Sequence, residues 1–140
     1  MPIEQLEFLE TNGVGFRKQL LARSSTAVMV LVWSEWRRKD KCRLMQGVIE
    51  DFAKDPNYLD CVTFWLLNAD EYGIACQEIS VTDTPCLLIF KDGKEVTRFR
   101  DATSEEAIRH QLEVILDRAR NYMRMGSSPE AVPQSPFFPG

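Results

Sequence analysis

The sequence predicts an α/β fold in which buried strands alternate with helices and the chain closes on an antiparallel hairpin. Three observations carry this. Residues 27–33 (AVMVLVW) and 62–67 (VTFWLL) are continuous apolar runs rich in β-branched and aromatic side chains, as expected of strands covered on both faces. Between them Leu44, Val48, Ile49 and Phe52 recur at helical spacing. Later, Lys91-Asp92-Gly93-Lys94 joins residues 87–90 to 96–99 as a hairpin whose turn residues must tolerate positive φ.

Taken in order, a short edge strand is expected around Leu6 and Phe8, and Phe16, Leu20 and Leu21 mark a helix within 12–22. Residues 27–33 form the middle of the sheet. Asp40 is placed to N-cap the next helix, which stops before Pro56. Strand 62–67 closes on Asn68-Ala69-Asp70, a short helical piece covers 71–79, and the hairpin follows. Thr103-Ser104-Glu105-Glu106 matches a capping box, after which Ile108, Leu112, Ile115, Leu116 and Ala119 trace one helical face. Beyond Arg124 comes Gly126-Ser127-Ser128-Pro129, then prolines 133, 136 and 139 without periodicity, so residues 1–124 are expected to form one domain and 125–140 a disordered tail. Phe137-Phe138 would be either a short binding anchor within it or a sticky end with no partner.

Composition narrows the function classes. At 140 residues and 44% apolar content the chain can bury one core. A net charge of −4 and a pI near 5.1 argue against nucleic acid as a general partner, because phosphate binding needs a basic surface. No cationic segment precedes an apolar stretch at the start, and the longest apolar run is too short to span a membrane, so a cytoplasmic protein is expected. The four cysteines, at 42, 61, 76 and 86, include no close pair, which suggests free thiols in a reducing compartment and neither a zinc knuckle nor a disulfide framework. No phosphate-cradling glycine loop, metal-ligand cluster or serine triad is visible, and neither metal nor cofactor is expected.

Several residues together resemble the thioredoxin family: Trp33-Ser34-Glu35-Trp36 at the end of an apolar strand, Thr84-Pro85 leading into another, and Lys91-Asp92-Gly93-Lys94 at the hairpin. The resemblance spans residues 12–118 and implies a thioredoxin-like fold, a central mixed sheet of four to five strands flanked by helices. In that family Trp-Ala-Glu-Trp leads into a Cys-Gly-Pro-Cys dithiol. Here Cys42 aligns with the second cysteine, the first has no counterpart, and the five residues 37–41 stand where three would. Dithiol reduction needs an attacking thiolate and a second thiol to release the mixed disulfide, so one thiol cannot complete the cycle. The family's buried aspartate and lysine align with Leu31 and Leu66, a joint loss that removes proton-transfer help without leaving a lone buried charge. Pro85 aligns with the family's cis-proline, whose preceding residue, here Thr84, pairs with an extended client in the manner of strand addition. A glycine flanking that groove aligns with Asp101, whose charge would crowd a client.

The candidate residues follow. Cys42 is the catalytic candidate, because a helix N-terminus and neighbouring cations favour thiolate. Its plain alternative is an inert, shielded thiol. Arg37, Arg38, Lys39 and Lys41 would accept an acidic or phosphorylated partner, or else form a solvated loop. Trp36 is a contact candidate, with Thr84 and Pro85 completing a partner-binding surface, while Trp33 is expected to pack. Cys61 and Cys76 read as small buried hydrophobes, Cys86 would pair with Cys42 only within disulfide reach, and His110 faces away from its helix's apolar side. Three readings stay open: a protein-interaction, scaffold or chaperone module without dithiol turnover, a monothiol oxidoreductase acting through Cys42, and a redox sensor in which two thiols join.

Overall fold

The computed structural model describes residues 3–5, 14–23 and 25–116. In chain order these give β1 (Ile3–Gln5), α1 (Val14–Ala22), β2 (Ala27–Trp33), α2 (Lys39–Lys54), β3 (Val62–Asn68), α3 (Gly73–Glu78), β4 (Cys86–Lys91), β5 (Lys94–Arg100) and α4 (Glu105–Ile115). The expected edge strand at Leu6 and Phe8 and the expected tail at 125–140 lie outside the described residues. The chain divides into a unit of residues 1–105, which holds the whole sheet, and a unit of residues 106–140, in which Ile108 and Leu112 of α4 are buried.

One five-stranded mixed sheet runs in the order β1-β3-β2-β4-β5. Strand β2 is central, parallel to β3 on one side and antiparallel to β4 on the other, and its residues 27–32 are all buried. Leu31 sits opposite Leu66 in the β2–β3 register, so the two leucines at the positions the resemblance assigns to a buried aspartate and lysine are neighbours. The hairpin forms at Asp92 (φ 56) and Gly93 (φ 80), both left-handed as a two-residue turn of this kind requires. A side chain on Gly93 would also meet Leu21 Cδ2 at 3.1 Å, so glycine answers two demands there.

Alternation along the strands builds two apolar layers. On one face Val28, Val30, Val32, Trp65, Leu67, Leu88 and Phe90 join Phe16 and Leu20 of α1 and Cys76 of α3. Phe16 stands edge-on to both Trp65 (6.2 Å between ring centroids) and Phe90 (5.8 Å), contacts of the kind worth about 0.5–1.5 kcal/mol beyond area burial. On the α2 side of the sheet, the helix buries Cys42, Met45, Ile49, Phe52 and Ala53. This corrects the expected stripe: Leu44 is 59% exposed, because it lies two residues, or about 200°, from the inward-facing Cys42. The expected N-cap is corrected too. Asp40 lies inside the first turn, and the cap is Arg38 in a left-handed conformation without a side-chain capping bond.

Candidate functional site

The end of β2 is fixed by a side chain that no local pattern singles out. Ser34 is 1% exposed, and its Oγ donates to Asp70 Oδ1 at 2.8 Å while accepting the N–H groups of Trp36 and Arg37, each at 3.0 Å. The other oxygen of Asp70 accepts the N–H of Glu35 at 2.9 Å. A serine hydroxyl accepting from residues two and three positions ahead is a local turn device. The carboxylate from the β3–α3 connection makes it rigid. The result turns Trp36 outward, 83% exposed, with Arg37, Arg38, Lys39 and Lys41 exposed after it. Trp33 is half-buried, and its indole N–H has no partner among the described residues.

Arg38 then takes φ 54 and ψ 46, which lets its carbonyl accept the N–H of Cys42 at 2.9 Å and open α2. Cys42 is 2% exposed and its Sγ is directed at the carbonyl of Arg37, 3.6 Å away. The same carbonyl accepts the Thr84 hydroxyl at 2.9 Å. Thr84 is 1% exposed and Pro85 is buried, with a cis peptide bond between them. The five candidates on the 36–41 segment and the pair at 84–85 are thus brought together, with different exposure. Trp36 and the cations reach solvent, whereas Thr84, Pro85 and Cys42 lie beneath the loop.

Asp101 lines the cleft beside Pro85 and is engaged by the basic segment there. It adopts φ 85, a conformation that favours glycine, and donates its N–H to the carbonyl of Pro85 at 3.0 Å. Its carboxylate accepts the N–H of Ala102 at 2.8 Å and lies 3.2 Å from Lys41 Nζ and 3.8 Å from Arg38 Nη1. The Ala102 N–H first, and then Lys41, hold this carboxyl below the usual aspartate range.

All four cysteines are free. Burial raises the thiol of Cys76 from 9.0 to about 11 and also raises Cys86, against the partial opposing pull of nearby arginines. Cys61 is half-buried, so the expectation that it is a buried hydrophobe needs correcting. Its position at the turn before β3 leaves one side open, and its thiol points to the carbonyls of Asn57 and Tyr58. His110 is exposed. No helix among the described residues is long and apolar enough to cross a membrane.

Sequence reasoning missed Ser34, Asp70 and Arg98. Arg98 is gripped by Glu95 through two 2.8 Å bonds and donates to the carbonyls of Ile79 and Ser80, tying the exit of α3 to β5. The i, i+2 placement of Arg98 and Arg100 on a predicted strand was the available signal, since it sets both cations on one face.

Comparison with known proteins agrees with this architecture. The family model for thioredoxin matches residues 7–114. Thioredoxin 1 of Synechococcus elongatus is 29% identical over 96 residues, 69% of this chain and 86% of that protein. The thioredoxin of Alicyclobacillus acidocaldarius is 32% identical over 89 residues, 64% of this chain and 81% of the relative. The crystal structure of Fasciola hepatica thioredoxin superposes with a TM-score of 0.62 at 26% identity, covering 73% of this chain and 92% of the other. With its sheet order, its hairpin and a family match over most of its length, the chain belongs to the thioredoxin family.

Proposed function

We propose that this protein is a thioredoxin-family interaction module that holds a protein partner without dithiol turnover. The observation that carries the reading is the entry to α2: residues 34–41 contain no cysteine, and Cys42, the thiol nearest that entry in the chain, lies buried beneath Arg37. A thiolate nucleophile must reach its disulfide in line, which a thiol turned toward a backbone carbonyl under a pinned loop does not do. The monothiol reading needs that sulfur at the surface and finds no support in this placement.

Trp36 supports the positive half. A large aromatic held outward by a hydrogen-bonded turn, beside arginines, has the composition of an interface anchor, and its fixed backbone lowers the ordering cost of binding. Thr84 and Pro85 then serve the surface from below, by holding the Arg37 carbonyl. In this reading residues 1–124 form the module, residues 125–140 are an appended tail, and a reducing cytoplasm suits the free thiols.

The test is reduction of insulin with a dithiol donor. No rate above that of the donor alone is expected. Turnover that disappears in Cys42→Ser would overturn the reading in favour of a thiol enzyme.

A further inference from the structure

Beside Pro85 a cleft opens between the end of β5 and the segment 80–83, and it is lined by Arg38, Arg98, Arg100, Asp83 and Asp101. Its three guanidinium groups are not equivalent. Arg98 is already occupied by Glu95 and two backbone carbonyls, so it forms a fixed wall. Arg38 comes only to 3.8 Å from Asp101, with about half of its side chain exposed. Arg100 is exposed at the end of β5, opposite Cys86 in the register, and its guanidinium makes no ion pair or hydrogen bond among the described residues.

One carboxylate is already bound at this place, and it belongs to the protein. Asp101 is shared by Lys41, Arg38 and the Ala102 N–H, and it sits on a left-handed backbone that most residues with a side chain avoid. The backbone alone would favour glycine there, so its side-chain contacts offset a local preference. We propose that this cleft takes the carboxylates of an acidic peptide segment on a partner protein, with Arg38 and Arg100 as ligands and Asp101 as an internal competitor for Arg38. The proposal rests on the reading that this face holds a protein partner, and it adds the chemistry that partner presents. Guanidinium forks bind carboxylates through paired N–H donors. Asp83, also in the lining, repels an acidic segment and so favours contacts made through the arginines.

The test uses the full chain and a fluorescein-labelled peptide of alternating glutamate and serine, with a glutamine version as control, followed by fluorescence anisotropy. The glutamate peptide is expected to bind and the glutamine peptide not to bind. Arg100→Gln and Arg38→Asn, the latter chosen because asparagine tolerates a left-handed backbone, should each weaken binding by about fivefold or more. Asp101→Gly suits the observed φ and frees Arg38, so it should tighten binding roughly threefold. Lys94→Ala, at the far end of β5, should change nothing, and thermal melting checks that every variant is folded. Equal or weaker binding by Asp101→Gly, or a loss in Lys94→Ala matching that in Arg100→Gln, overturns the cleft. A phosphoserine peptide that binds where the glutamate peptide does not overturns the carboxylate assignment. These failures would leave the absence of dithiol turnover standing, whereas insulin reduction would defeat the parent reading with the arginine dependence intact.

Discussion

Thr84 is joined to Arg37 by a 2.9 Å hydrogen bond across 47 positions of chain, and this bond closes the loop over Cys42. Thr84→Val keeps the shape and removes the donor. The Arg37 carbonyl would then depend on the long contact from Cys42 Sγ, so a loss of about 1–2 kcal/mol is expected in urea unfolding. Native-state alkylation followed by mass spectrometry should show half-buried Cys61 labelled first in the parent, and faster labelling of Cys42 in the variant.

Ser34→Ala should cost more. It removes one acceptor from two N–H groups and one donor from Asp70, all at the buried end of β2. A penalty of about 2–3 kcal/mol in chemical denaturation is expected. Asp70→Asn, which keeps an acceptor for one of its two bonds, should cost less. Equal stability of Ser34→Ala and the parent would show that water replaces the hydroxyl.

The pH dependence follows from Cys76. Its thiol is raised from 9.0 to about 11, chiefly by burial, so the folded state holds this proton more tightly than the unfolded chain. The associated stability is complete below pH 9.0 and is lost as pH rises through about 11. Two pH units correspond to about 3 kcal/mol, an upper figure for one partly relaxed site. Urea unfolding across this window should show a smaller alkaline loss in Cys76→Ala than in the parent, with Cys86 supplying part of what remains.

Leu31→Asp places a carboxylate at a fully buried position of the central strand opposite Leu66 and should cost about 3–5 kcal/mol, a large share of the roughly 5–15 kcal/mol that keeps an ordinary domain folded. Adding Leu66→Lys should return part of that loss, because the register sets the two positions side by side. A double-mutant cycle measures the coupling. Additive losses would mean that the core no longer accommodates the pair.

How much of this was legible in the sequence depends on whether the deciding signal was local. Strands β2 and β3 and the Asp92-Gly93 turn announce themselves within a few residues, and all form as expected. The phase of α2 was ambiguous because Leu44 and Met45 are adjacent and both apolar. The inward turn of Cys42 settles it, and that depends on how the loop enters the helix. The site was legible as a set of residues and not as an arrangement. Ser34 meets Asp70 across 36 positions and Lys41 meets Asp101 across 60, and no local pattern encodes such pairings. The burial of Thr84 and Cys42 follows from those long-range contacts, so exposure was the property the sequence carried least.

The outermost strand has a further consequence. Strand β5 ends the sheet with Lys94, Glu95, Arg98 and Arg100 along it and a register irregularity between Ile89 and Phe90 on its neighbour. Three cations on one short strand and a broken ladder repeat make a poor template for the same strand of a second molecule. The open border is therefore guarded against edge-to-edge self-association and fibril growth by the same arginines that crowd its end.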